Sequence, residues 1–270
     1  MLSTNLKQLY FSQSALAIYE KCPLKFRRRY RDGLFWPQDW GGDLEQREVI
    51  ETGKLFHRLA QRYYARGEEL TAELLTVDLK DWFKRLREFR SYNQRDDFYP
   101  EQELRINRDG IKLVAKFDLL YLDKTANRFI IYDWKTNKRP FSEEDKFNNN
   151  LQSIVYLYVL TKAGNQYFPG SNLQPADISL LYWNPRFPKN IKTVDYNRRK
   201  FAEDEEFLTK KITEIKNLNY ADFKAINDEK ICKHCEYRPI CFGKKPELIV
   251  LEEDDLDLEL DWEIIEEIQF

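Results

Sequence analysis

The stretch Phe129-Ile130-Ile131-Tyr132-Asp133-Trp134-Lys135-Thr136 opens on the most apolar strand-like run of the chain and ends on an acid and a base. Residues two apart in a strand share a face, so Asp133 and Lys135 project together while Trp134 points the other way. A carboxylate able to hold a divalent cation then sits beside an ammonium able to meet a phosphate or an attacking water. An Asp-x-Lys triplet alone carries little, because charged residues at strand ends are usually solvated. Its meaning comes from the elements around it.

Upstream, Glu103-Leu104-Arg105-Ile106-Asn107 and Lys112-Leu113-Val114-Ala115-Lys116-Phe117 flank Arg108-Asp109-Gly110, and Asp-Gly between apolar runs signals a hairpin. The second hairpin strand continues through Asp118 to Tyr121, and the next strand covers 128–135. Downstream the pattern predicts a helix over 143–163, strands near 177–184 and 190–196, and a charged helix over 198–217. Ahead of the hairpin it predicts a helix over 12–31, capped by Ser12 or Ser14 and kinked or restarted at Cys22-Pro23. A loop at 34–43 and helices over 45–66 and 72–92 follow. The fold class expected is α/β: a mixed β-sheet flanked by helices, with an N-terminal helical segment and a C-terminal cysteine module.

The 270 residues suffice for one sizeable core, and 42% hydrophobic with 15% aromatic content lies far from a disordered composition. No run reaches transmembrane length, and Met1-Leu2-Ser3-Thr4-Asn5-Leu6-Lys7 lacks a basic-then-apolar signal pattern, so a soluble, cytoplasmic chain with no membrane partner is expected. The net charge of −2 hides an asymmetry: from Glu252 to Phe270 there are ten acids and no Lys or Arg. Without them the body carries 44 bases against 36 acids, about +8, which suits a polyanionic partner.

If the strands that Asp118 and Asp133 end are neighbours, the two carboxylates can share one cation, since hard divalent metals take oxygen ligands. Glu103, on the first hairpin strand, is a candidate supporting carboxylate. Gln152 and Tyr156 are spaced i, i+4 on the following helix, so they share one face and can steady the lysine or touch a phosphate. From spacing alone, a core tyrosine with a rim glutamine is the plainer reading. His57, one of two histidines, sits beside an apolar helix face, where a buried structural histidine and a ligand of a Mn²⁺ site are both open.

The cysteines are Cys22, Cys232, Cys235 and Cys241, with His234 inside the C-x2-C pair. In a cytoplasmic chain this spacing favours metal over disulfide, and four thiolates suit either tetrahedral Zn²⁺ or an iron–sulfur cluster.

The ordered set His57, Asp118, Asp133-Trp134-Lys135, Gln152 and Tyr156 resembles the PD-(D/E)XK nuclease superfamily, and within it the RecB-like branch, over about residues 12–243. One departure is Ala115, where that family often has Gly three residues before the Asp. The resemblance implies a restriction-endonuclease-like core over 1–246 and metal-dependent phosphodiester hydrolysis, with Asp118, Asp133, Lys135, Gln152 and Tyr156 as catalytic residues. It implies Mg²⁺ or Mn²⁺ held by His57, Asp118, Asp133 and the Trp134 carbonyl, and Lys135 orienting the nucleophile or neutralising developing charge. A lone Cys-Pro after the first helix with a terminal C-x2-C-x5-C resembles the iron–sulfur members of the branch, which include the AddB nuclease domain and the CRISPR adaptation nuclease. That resemblance implies a 4Fe-4S cluster on Cys22, Cys232, Cys235 and Cys241, with Zn²⁺ as the lesser alternative.

The partner expected is therefore DNA, with a single-stranded or end region. Lys25, Arg27, Arg28 and Arg29, interleaved with Phe26 and Tyr30, are candidates to line a groove for one strand, against a solvated helix face. Trp36 and Trp40 are candidates to stack on DNA or to pack in the core. The acidic tail, 247–270, alternates acids with Leu256, Leu258, Leu260 and Trp262 and suggests a protein-binding or autoinhibitory segment. Three functions follow from the resemblance: a single-strand or end-directed exonuclease in DNA repair or recombination, a CRISPR adaptation nuclease processing pre-spacer DNA, or a non-catalytic iron–sulfur DNA-binding subunit. The intact Asp118, Asp133 and Lys135 argue against the last.

Overall fold

The computed structural model of the chain describes residues 5–34, 44–67, 76–170 and 172–247. Trp36, Trp40, the start of the helix expected at 72–92 and the acidic tail from residue 248 lie outside the described residues. In chain order the structure places helix α1 (Gln13–Lys21), the short helix α2 (Pro23–Phe26), a π-helical turn (Arg27–Arg31), α3 (Leu44–Arg66) and α4 (Val77–Phe89). Strands β1 (Asp97–Arg108), β2 (Ile111–Asp123) and β3 (Arg128–Trp134) follow, then α5 (Leu151–Tyr167), β4 (Ile178–Trp183) and β5 (Lys192–Asp195). The last elements are α6 (Arg198–Asn217), α7 (Glu229–Cys232) and α8 (Arg238–Phe242).

At the hairpin tip Asp109 and Gly110 both take left-handed φ, 53° and 75°, the pair of positive values that an Asp-Gly turn supplies at little cost. The five strands are ordered β1-β2-β3-β4-β5, with β2/β3 antiparallel, β3/β4 parallel and β4/β5 antiparallel. The sheet is therefore mixed. A parallel pair needs a long crossover, and α5 supplies it between β3 and β4.

The described residues divide into two compact units, one within 50–106 and 113–208, the other within 5–49, 107–112 and 209–247. In the first, α3 and α4 cover one sheet face: Phe56, Tyr63, Tyr64, Trp82, Phe83 and Leu86 form one core with Leu119, Tyr121, Tyr132, Trp134 and Trp183. Trp134 is stacked 6.1 Å from Tyr64 and fully buried, so the middle residue of the triplet anchors the sheet. The other face carries α5, in which every residue from Gln152 to Leu160 is buried. A helix buried all round over that stretch belongs inside a core rather than on a surface.

The helix expected at 143–163 starts later, at Leu151. Two short 3₁₀ turns, Glu143–Asp145 and Phe147–Asn149, precede it, separated by Lys146 at φ 49°. Asn150 then caps α5, its Oδ1 accepting the Ser153 N–H at 2.7 Å. The cap matters for the site, because it sets which turn of α5 faces Asp133.

In the second unit the break at Cys22-Pro23 occurs as expected: Cys22 is extended (φ −162°, ψ 108°) and the helix restarts at the proline. Phe26 stacks between Phe11 at 6.0 Å and Phe223 at 6.1 Å, and Leu24 N–H donates to the Lys224 carbonyl. The N-terminal helices are thus packed against the C-terminal segment. The basic run is engaged in the same packing. Lys25 pairs with Glu236 at 2.8 Å, Arg27 lies over Tyr220 at 4.2 Å, and Arg28 Nη1 donates to Cys241 Sγ at 3.1 Å. Lys25 and Arg28, candidates to line a groove, thus contact the cysteine module.

Candidate active site

Asp133 is the last charged residue of β3 and is 3% exposed. Its Oδ2 accepts from Gln152 Nε2 at 2.9 Å, and its Oδ1 lies 2.9 Å from Lys135 Nζ. Gln152 also accepts from Lys135 Nζ through Oε1 at 3.2 Å, and its Nε2 reaches the Tyr156 hydroxyl at 3.4 Å. One amide therefore fixes both the carboxylate and the ammonium, and the i, i+4 partner Tyr156 closes the group from above. Lys135 Nζ lies 5.7 Å from the Tyr182 ring centre, on the strand next to β3.

Asp118, expected at a strand end, lies inside β2, which continues to Asp123. Its Oδ1 is 3.1 Å from His57 Nδ1, and its Oδ2 accepts the Trp134 backbone N–H at 2.6 Å. The amide of Trp134 thereby ties the two acidic strands together. His57 comes from α3, one turn after Gly53, where an added Cβ would stand 2.8 Å from Thr136 Oγ1. The missing side chain lets α3 lie close to the residue that follows Lys135.

Among the described residues, one set of three metal-ligating side chains brings its ligand atoms within 4.8 Å of one another: His57, Glu101 and Asp118. Glu101 was not a candidate from the sequence, where Glu103 held that place. In the structure Glu103 pairs with Arg105, while Glu101 takes a left-handed φ of 53° in the middle of β1. That conformation costs a non-glycine residue of order 1 kcal/mol or more and breaks the strand's alternation. Only a signal for a non-glycine left-handed residue inside a strand would have found it, and local sequence carries none.

The electrostatics show how tightly these charges are held. Burial pushes the Asp133 carboxyl up to about 6, with Asp118 adding to the rise and Lys135 opposing it. Burial and the neighbouring Asp118 also raise Glu101. Burial works against protonated His57, but the Asp118 carboxylate outweighs it and raises the histidine. For Asp118, burial is overcome by His57 and by the Trp134 amide, so this carboxyl stays low. Beyond its ion pair, Asp133 Oδ1 is buried and receives no hydrogen bond. His57, Glu101 and Asp118, whose ligand atoms converge, are a donor set that a hard divalent cation fits, and Asp133 lies beside them in its pair with Lys135.

Three carboxyl side chains, one amide, one imidazole and two lysines thus meet on β1, β2, α3, α5 and the end of β3. A family model of the PD-(D/E)XK nuclease superfamily matches residues 10–242. The chain belongs to the PD-(D/E)XK nuclease superfamily. Its mixed five-stranded sheet with helices on both faces is accordingly a restriction-endonuclease-like core. A search of curated proteins found no match. Among solved structures, the chain is similar to a "Putative exonuclease" from Eubacterium rectale, at 12% identity and a TM-score of 0.48, covering 92% of each chain. A second, SSO0001, matches at 14% identity and a TM-score of 0.28, covering 71% of this chain and 96% of its own.

Two outcomes follow for this nuclease-superfamily site. Glu101→Gln is expected to weaken Mn²⁺ binding at least tenfold by calorimetry, whereas Glu103→Gln leaves it within twofold of the parent, on the order expected for losing one charged ligand. The second concerns pH. The folded-state pKa of Asp133 lies above the ordinary value near 4, so its contribution to stability is present at low pH and is lost as pH rises to about 6 and beyond. In metal-free buffer, Asp133→Asn should melt a few degrees above the parent at pH 8, the gap shrinking at pH 5; equal gaps at both would contradict the burial argument.

Proposed function

We propose that the chain is a metal-dependent deoxyribonuclease of the RecB-like branch. It would act in the cytoplasm on single-stranded DNA or DNA ends, in repair or recombination. The observation that carries this reading is the contact of two groups at one sheet end: the Asp133–Lys135–Gln152 network and the His57–Glu101–Asp118 set, joined through the Trp134 amide.

His57, Asp118, Asp133 and the Trp134 carbonyl would hold Mg²⁺ or Mn²⁺, with Glu101 as a further carboxylate. Bound, the ion supplies polarisation of the phosphate, a lowered pKa of its water and a counter-charge for the leaving oxygen. The chain's own residues do the rest. Gln152 holds the Lys135 ammonium against Asp133, so the lysine is fixed before substrate arrives and needs no reorganisation to face an attacking water. Lys135 then orients that water and offsets negative charge as it grows on the phosphate. Tyr156, its phenol kept protonated by burial and by the nearby Asp133 and Asp118, can donate a hydrogen bond.

The same reading includes a 4Fe-4S cluster on Cys22, Cys232, Cys235 and Cys241. All four are free thiols in the same compact unit. Burial first, and then Cys22 and Cys241, raise the Cys232 thiol, while burial and Glu236 lift Cys235 to about 12. The sulfurs therefore share one electrostatic neighbourhood that a cationic centre would relieve. Four thiolates also suit tetrahedral zinc, and what favours the cluster is the likeness of the Cys-Pro and C-x2-C-x5-C pattern to the iron–sulfur members of the branch. The cluster's role would be to clasp the chain's distant segments, closing a loop of about 210 residues between Cys22 and Cys232.

With Mn²⁺ and single-stranded, duplex and end-blocked DNA, the parent should cut unblocked ends. Asp133→Ala and Lys135→Ala should each lose at least a hundredfold in rate; cleavage at parental rate by either variant would overturn the assignment, and an inactive parent would favour a binding subunit. Anaerobically purified protein should absorb near ~400 nm and carry about four irons. A colourless preparation with stoichiometric zinc would replace the cluster with zinc.

A further inference from the structure

Lys116 lies on β2 two residues before Asp118, and its Nζ is 3.3 Å from Glu101 Oε2. It is 29% exposed, against 11% for Lys135. The site thus holds two acid–base pairs of different kinds. Asp133 and Lys135 are a buried pair clamped by Gln152. Glu101 and Lys116 are a pair at the solvent edge, and their carboxylate belongs to the set whose ligand atoms converge with His57 and Asp118.

This has a consequence for charge. Three carboxylates, Glu101, Asp118 and Asp133, face two ammoniums, Lys116 and Lys135, a formal −1 with His57 neutral. A divalent cation changes that to +1, the charge that one phosphodiester neutralises. Without Lys116 the loaded site would be formally neutral and would attract the substrate less strongly. The cation also takes over Glu101, because a carboxylate bound to a divalent ion no longer favours an ammonium as strongly. Lys116 is then a partly exposed cation whose hold on Glu101 is weakened.

We propose that Lys116 is a phosphate-binding residue of this site, held by Glu101 in the metal-free protein and handed to a DNA backbone phosphate when the cation binds. The proposal rests on the divalent-cation reading of the His57–Glu101–Asp118 set. It makes Lys116 a competitor of the metal and a helper of the substrate, and these two effects have opposite signs.

That opposition is the test. Mn²⁺ binding is measured by calorimetry on the full-length, metal-free parent and on Lys116→Met and Lys116→Arg. Binding of a short single-stranded oligonucleotide is measured in Ca²⁺, and cleavage in Mn²⁺. Lys116→Met is expected to bind Mn²⁺ about threefold or more tightly, because a nearby positive charge is gone. It should bind the oligonucleotide about tenfold more weakly, with the loss of cleavage mainly in KM. Lys116→Arg should restore oligonucleotide binding to within about threefold of the parent, since a guanidinium also meets phosphate. If Lys116→Met weakens Mn²⁺ and oligonucleotide together, the lysine is a brace for Glu101 and the proposal is wrong. Unchanged oligonucleotide binding in Lys116→Met also overturns it. If the parent itself binds no Mn²⁺, the metal reading fails, and the role of Lys116 fails with it.

Discussion

A carboxylate held in the core against the cost of burying its charge is the constraint around which this nuclease-superfamily domain is arranged. Asp133 sits on the inner face of β3, beneath a helix buried along most of its length. An isolated buried charge there would cost several kcal/mol. The structure offsets that cost with one ammonium and one amide, Lys135 and Gln152, neither of which is spare: removing either leaves a polar group without its partner. The arrangement is therefore rigid by necessity, and rigidity of a charged group is what transition-state stabilisation uses.

The surrounding elements serve this geometry. Asn150 starts α5 so that Gln152 and Tyr156 face β3, and Ser153, one residue further round, bonds the Tyr182 hydroxyl at 2.8 Å to hold α5 to β4. On the other sheet face, Trp134 is locked among Tyr64, Tyr132, Phe89 and Trp183. Its backbone amide then has a defined direction and can bind Asp118. A side chain spent wholly on packing thus positions a carboxylate across the sheet. Arg186 adds a brace, its Nε donating to the Thr136 carbonyl at 2.9 Å while its guanidinium lies 4.4 Å from the Trp82 ring.

The second unit follows a different logic. Arg27, Arg28 and Arg31 of its basic run are engaged by aromatic faces, a carbonyl and a cysteine sulfur. A basic run with interleaved aromatics has the same composition whether it grips a nucleic acid or its own chain. Here Tyr220, Phe223 and Tyr237 are partners supplied from some two hundred residues downstream, and nothing within the run announces them.

Local sequence was enough for what depends on local chemistry. Alternation of apolar residues marked the strands, Asp109-Gly110 marked the hairpin turn, Pro23 marked the helix restart, and Asp133-Trp134-Lys135 declared two faces of one strand. Spacing also put Gln152 and Tyr156 on one side of α5. What required tertiary structure was every choice among chemically equivalent side chains. Glu101 and Glu103 are the same residue on the same strand, and only the left-handed backbone at Glu101, sustained by the fold around it, directs one of them to His57 and Asp118. Lys116 reads as one more exposed lysine until that glutamate is in place beside it. The sequence by itself therefore determined which chemical groups the chain possesses and on which strand or helix each lies. The packing of distant segments decided which of them meet, because the energy that brings like charges together comes from burying the residues between them.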